Sequence, residues 1–203
     1  IVLIQMFEMK DLKVLFLLLS VILFGFTSCE ETEEVGEYDN WQARNIAYID
    51  SIATVARANA DGKWLVFPAM GLDENLQWGN EHNVYCQVLQ SGDGTEHPLF
   101  TDVVNVNYRG RLIPSKSYSK GYIFDSSYEG ELEPEFDVPT ALRLSRTVPG
   151  FYTAVQKMVK GDTWRVYIPA NLAYGANEQS GIPAYSALIF DINLVSFGSA
   201  NAQ

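Results

Sequence analysis

Between residues 83 and 198 one short stretch after another alternates apolar with polar residues, and a single stretch breaks that habit with helical spacing. "NVYCQVLQ" sets Val84, Cys86 and Val88 against Tyr85, Gln87 and Leu89, and "GDG" follows as turn chemistry. "DVVNVNYRGRLI" alternates again from Val103 to Ile113. "IFDSSYEG" ends in a polar turn, "ALRLS" and "TWRVYIPA" are short, and "SALIFDINLVSF" is a long last strand. The exception is "PGFYTAVQKMVKGD", where Phe151, Val155, Met158 and Val159 share one helical face, Pro149 opens the helix and Gly161 stops it. Strands that can be half buried on one face, with one helix among them, predict an α+β domain: a bent antiparallel β-sheet wrapped around one short α-helix. Cys86 is expected inside its strand as a small buried hydrophobe.

Upstream, "DNWQARNIAYIDSIATVARANADG" places Trp41, Ile46, Ile49, Ile52, Ala53 and Ala56 three or four residues apart. This predicts an N-terminal amphipathic helix over about 40–59, with Asp39 as cap and Gly62 as stop. Its stripe packs on the chain's own domain or, alternatively, on a second copy as a homodimer helix. Residues 63–82 read as a connector, which puts helix and connector together over 39–82.

The first 28 residues read as an address. Lys10 and Lys13 precede an apolar run from Val14 to Phe26, too short for the ~20 residues a membrane-spanning helix needs. "FTSC" then resembles the lipobox of bacterial lipoproteins, with Phe in place of the usual Leu. On that resemblance residues 1–28 are a signal peptide, Cys29 is the lipidated residue, and acyl chains anchor the protein to a membrane of the Gram-negative cell envelope, the outer membrane by preference. An ordinary cleaved secretory signal is the alternative. The acidic "EETEEVGEYD" segment gives residues 29–38 the character of a flexible tether, and residues 199–203 form a tail.

Composition excludes several chemistries. Twenty-five acidic against 14 basic residues, a formal charge of −11, speak against nucleic-acid partners, which need a basic surface to displace counterions. Cys29 and Cys86, with His82 and His97, have no metal-ligand spacing and no nucleophile elbow between them, so neither a metal nor a cofactor is expected. Alternating Glu131, Glu133 and Glu135 read as a solvated face.

Five pieces taken together resemble the FKBP-type peptidyl-prolyl isomerases: "VNVNYRGRL" (104–112), "FDSSY" (124–128), "VPGFYTAVQKMVKGD" (148–162), "YIPANLAYG" (167–175) and "GIPAYSALIFDINLVSF" (181–197). They fall in the family's order and cover about 83–198, the span assigned to the isomerase domain. The resemblance implies an aromatic pocket for a proline ring, formed by Tyr108, Phe124, Asp125, Val148, Phe151, Tyr174 and Phe190, with Thr147 and Ile182 as substrate-binding neighbours. It implies proline-containing polypeptides as partners, with the Val148 N–H and the Tyr174 hydroxyl holding substrate carbonyls and Asp125 as a polar wall. Three positions depart from the family's habit: Asn107 where His is frequent, Thr147 where Val is common, and Phe151 where Trp forms the floor. The chain also inserts "SKSYSKG" between Leu112 and Phe124 in place of a tight turn. The implied function is isomerisation of Xaa-Pro bonds in exported proteins; the alternative is a catalytically weak peptide-binding or chaperone module.

Overall fold

The computed structural model describes residues 36–134 and 136–199, so the readings on residues 1–28, Cys29, most of the tether, Glu135 and the last four residues lie outside the described part. Seven strands form one antiparallel sheet: β1 (Trp64–Pro68), β2 (Asn83–Gln90), β3 (Asp102–Arg111), β4 (Ile123–Ser126), β5 (Thr140–Arg143), β6 (Thr163–Ile168) and β7 (Leu188–Ser199). The spatial order is β1-β2-β6-β7-β3-β4, with β5 also paired to β3. Register shifts at Val88/Gln90, Asn105/Val106 and Gly110/Arg111 bend the sheet, as expected where one strand carries an extra residue.

Among the described residues two α-helices accompany the sheet, α1 (Trp41–Ala58) and α2 (Pro149–Val155). Side chains alternate across a strand, so Tyr167 and Ile168 point to opposite faces of β6. Tyr167 meets Tyr48 of α1 at 6.4 Å and stacks on Trp64 at 5.7 Å. Ile168 faces α2, where a Cβ on Gly150 would intrude on its side chain. The sheet is therefore covered by α2 on its inner face and by α1 over β1, β2 and β6 on the other. Tyr85, Leu144, Met158, Leu188, Ile192 and Leu194 are fully buried between these layers. Each such side chain contributes ~1.5–3 kcal/mol of transfer free energy.

The antiparallel sheet, the single enclosed helix and the preceding amphipathic helix agree with expectation, while several details differ. The segment taken as a connector contains β1, which pairs with β2 from Trp64↔Gln87 to Pro68↔Asn83, so the sheet begins well before residue 83. Asp39 does not cap α1. Its carboxylate accepts the Gly36 N–H at 2.6 Å, and Asn40 stands at the helix start in the left-handed region. The helix stops at Asn59, also left-handed, ahead of Gly62. Ile46 faces solvent, and Asn45 takes a buried place on the stripe with Trp41, Ile49, Ala53 and Ala56. The helix opened by Pro149 ends at Val155. Met158 still reaches the core, through the turns that follow. Cys86 is wholly buried, and burial pushes its thiol pKa far up.

Candidate active site

Three strands and α2 bring aromatic rings together on the inner face of the sheet. Tyr108 and Gly110 of β3 and Phe190 of β7 point the same way, because Gly110 pairs with Phe190 and Tyr108 with Ile192 in one register. β4 adds Phe124 beside Gly110, and the first turn of α2 adds Phe151 from below. Phe151 and Phe190 meet edge to face at 5.3 Å, and Phe124 and Phe190 at 5.6 Å. Tyr108 lies 6.5 Å from Phe151 and 6.3 Å from Phe190. These spacings and tilts are those that ring quadrupoles favour. Phe151 and Phe190 are buried while Tyr108 and Phe124 are partly open, so the cluster has a closed floor and an accessible rim.

Polar groups sit at that rim. The Tyr108 hydroxyl donates to Asp125 Oδ2 at 2.7 Å, and Asp125 itself is exposed. Burial first, then that hydrogen bond, drives the Tyr108 pKa far above its ordinary value. The phenol stays neutral and its proton is committed to Asp125. Val148 precedes α2 with an extended backbone; its C=O accepts from Phe151 and Tyr152, while its N–H has no acceptor among the described residues. Tyr174 is half exposed and near enough for its phenol to raise the Tyr108 pKa electrostatically. Ile182 is buried at the far end of the same loop.

Of the residues expected at the site, Tyr108, Phe124, Phe151 and Phe190 form one contiguous cluster, with Asp125, Val148, Tyr174 and Ile182 around it. Thr147 stands just before Val148 in sequence, and its hydroxyl donates to the Leu144 carbonyl at 2.8 Å. Asn107 lies on the outer face of β3, fully buried against Asn193, and does not contribute to the cluster. Gly110 was not anticipated. A Cβ there would stand 2.8 Å from Phe190 Cε1 and closer still to the Phe124 ring, so only glycine lets both rings close over the strand. Its signal was present as a glycine inside an alternating strand, which marks a close approach. Tyr122 is a second addition, half buried next to Gly181 and in edge contact with Tyr118 at 5.1 Å.

A model of the FKBP-type peptidyl-prolyl cis-trans isomerases matches residues 94–195, half of the chain and the whole of this cluster. The chain belongs to that family. Among curated relatives, the macrophage infectivity potentiator of Trypanosoma cruzi is 39% identical over 54% of this chain and 50% of its own length. The peptidyl-prolyl cis-trans isomerase Mip of Coxiella burnetii is 39% identical over 54% of this chain and 43% of its own. The chain thus spans about half the length, or less, of these curated relatives. A solved peptidyl-prolyl cis-trans isomerase from Pseudomonas syringae pv. tomato superimposes with a TM-score of 0.52 at 25% identity, covering 76% of this chain and 96% of that one. Both α1 and β1 of this FKBP-family chain lie outside the matched span.

Among the described residues no group of three or more His, Cys, Asp or Glu is placed to hold a metal ion. The opposite face of the sheet carries a different environment, a cleft of about 660 Å³ lined by Arg109, Arg111, Arg165 and Asp191.

Tyrosine burial has a testable pH consequence. Burial chiefly raises Tyr48 from 10.0 to about 12, and Tyr85, Tyr108, Tyr128 and Tyr167 shift in the same direction. The folded state then holds these protons more tightly than the unfolded chain, so the stability they carry is complete below pH 10 and is lost as pH climbs through the folded values. Denaturant midpoints are expected to fall steadily between pH 10 and 12 as tyrosinate absorbance grows; midpoints that rise in that window would contradict these assignments.

Proposed function

We propose that this protein is a peptidyl-prolyl cis-trans isomerase that accelerates Xaa-Pro rotation in the cup formed by Tyr108, Phe124, Phe151 and Phe190. The observation that carries the reading is the edge-to-face cluster with a buried floor and an open rim, next to the unsatisfied Val148 N–H.

Rotation about a prolyl amide must break resonance against a barrier of ~18–20 kcal/mol. The planar amide is the more polarised form, and water stabilises it by solvating the carbonyl oxygen. The twisted form has less charge separation. An apolar cup that excludes water therefore stabilises the twisted geometry relative to the planar one, which is differential binding of a transition state. In this reading the proline ring rests on Phe151 and Phe190, with Phe124 and Tyr108 as walls. The Val148 N–H and the Tyr174 hydroxyl donate to substrate carbonyls on either side of the ring, Ile182 lines the mouth, and Asp125 keeps Tyr108 oriented. An acceleration of about ten thousandfold asks for ~5.5 kcal/mol, within reach of desolvation and one or two hydrogen bonds. No covalent intermediate or ionising base is involved.

The setting proposed for this activity is the bacterial cell envelope, with Cys29 as the lipid-bearing residue and exported, proline-containing chains as clients. The apolar leader, the "FTSC" motif and the acidic segment after it support that setting, and the mass of the peptide carrying Cys29 is its check. The buried stripe of α1 is occupied by the chain's own sheet, so a homodimer through this helix would have to use its outer side, where Ile46 and Val55 are exposed.

A proline-switch assay on tetrapeptides tests the activity. Wild-type protein is expected to accelerate isomerisation, with kcat/KM reduced more than tenfold in Phe124→Ala and several-fold in Tyr174→Phe. Peptide binding without acceleration would replace this reading with the weak binding module.

A further inference from the structure

We propose that α1 is a positioning device for the loop over the cup, with Trp41 and Asn45 setting the loop's position and hence the site's preference for the residue before proline. The inference rests on the isomerase reading above.

The loop runs from Gly175 to Tyr185. Its base is closed by the Tyr185 N–H donating to Gly175 O at 2.7 Å, and its tip by paired backbone bonds between Gln179 and Ile182. Gly181, near that tip, is the residue that approaches Tyr122 and Phe124, so the loop forms one wall of the mouth. The backbone bonds at base and tip tie the loop to itself. Gly175 has a positive φ of 59°, and Tyr185 adopts φ 61°, a region an ordinary side chain enters only when its surroundings hold it there.

What holds it comes from α1, more than 140 residues away in sequence. The Trp41 indole N–H donates to Ser186 Oγ at 2.8 Å, and that hydroxyl donates onward to Pro183 O at 2.6 Å. Asn45 Oδ1 accepts the Ala187 N–H at 2.8 Å, while its amide donates to Trp41 O at 2.7 Å. Trp41, Asn45, Ser186 and Ala187 are all buried. A buried asparagine on the apolar stripe of a helix costs stability unless both ends of its amide are satisfied. Here both are, and one end fixes the loop. The residues before α1 also reach the stretch inserted before Phe124, where Glu37 Oε2 accepts from the Ser117 hydroxyl at 2.6 Å.

Trp41 and Asn45 lie outside the residues matched by the family model, whereas Ser186 and Ala187 lie inside it. The loop of the matched domain is thus held by an element that precedes the matched span. Contacts that orient a wall without touching the reacting amide act on substrate fit, so they are read in KM and in the order of preferred peptides.

The experiment measures kcat and KM for a series of tetrapeptides that differ only in the residue before proline. Trp41→Phe removes one donor and keeps the ring, and Asn45→Ala removes both polar ends. Both are expected to change the ratio of kcat/KM between the best and worst peptide at least threefold, mainly through KM. Asn45→Asp retains an acceptor for the Ala187 N–H but loses the donor to Trp41 O, and is expected to shift the order less than Asn45→Ala. Ala53→Gly loosens α1 without touching the loop, and is expected to lower the unfolding midpoint with the order unchanged. Amide hydrogen exchange supplies a second readout: residues 176–187 are expected to exchange faster in Trp41→Phe than in Ala53→Gly. The same peptide order and the same loop exchange in all folded variants would overturn the inference. A wild-type protein that turns over no peptide would fail the isomerase reading itself and take this inference with it.

Discussion

Replacing Gly110 with valine is expected to abolish measurable isomerisation and to destabilise the fold by about 1–3 kcal/mol, the range for forcing extra carbon into a packed interior. The backbone of β3 would accept valine, since Gly110 is not among the residues with positive φ. The obstacle lies in the side chains above it. The first carbon added would stand 2.8 Å from Phe190 Cε1 and closer to the Phe124 ring, and two further methyl carbons could be admitted only by driving those rings apart. Phe190 is itself wedged against Phe151 at 5.3 Å, so its displacement reaches the floor of the cup. The loss should appear in kcat/KM beyond any fall in folded fraction, as determined by comparing the assay with a denaturant titration of the same sample. A valine variant that folds and turns over normally would mean that these rings do not form the site.

The second large effect is expected behind the sheet. Asp191 of β7 accepts Arg165 Nε at 2.6 Å and Nη2 at 3.1 Å, and also pairs with Arg111 Nη2. The Asp191 carboxylate and the Arg111 guanidinium are mostly buried, at 15% and 14% side-chain exposure. Hydrogen bonding to Asp191 is the main reason the Arg165 pKa is raised. Asp191→Ala would deprive two neighbouring guanidinium groups of the carboxylate they share. Removing one partner from a fully buried pair costs ~3–5 kcal/mol; with the cleft open to solvent, about 2–3 kcal/mol is expected. Chemical denaturation of Asp191→Ala against wild type measures it, and an unchanged midpoint would show that water already shields the arginines. Because Phe190 is the next residue, a smaller loss of isomerase rate should accompany the loss of stability.

The strands around the site were legible because a half-buried antiparallel strand writes its alternation directly into the chain, as in Val104, Val106 and Tyr108. Phe151 and Phe190 were legible as members of a motif set, not from their spacing, since buried aromatics look alike in any core. β1 was missed for a physical reason. It is a five-residue edge strand ending in Pro68, and an edge tolerates a residue with no N–H to donate. Its burial pattern follows α1 and β2 packed against it, which local sequence does not reveal. The cap of α1 was misplaced because Asp39, a good capping residue by type, found the Gly36 N–H first. Asn45, a polar residue, carries no local signal for a place on the apolar stripe. Its partners, Trp41 and Ala187, combine a neighbour one helical turn away with a residue 142 positions distant, and only the second explains its burial.

The central claim is that a proline ring sits on the aromatic floor while its amide rotates. Nuclear magnetic resonance on a proline-labelled tetrapeptide, with the protein at a small fraction of the peptide concentration, tests it most directly. Exchange peaks between cis and trans forms should appear only with the protein present, and the proline ring protons should show cross-relaxation with Phe151 and Phe190. Exchange no faster than in buffer alone, or proline contacts confined to the arginine-lined cleft on the other face, would contradict it.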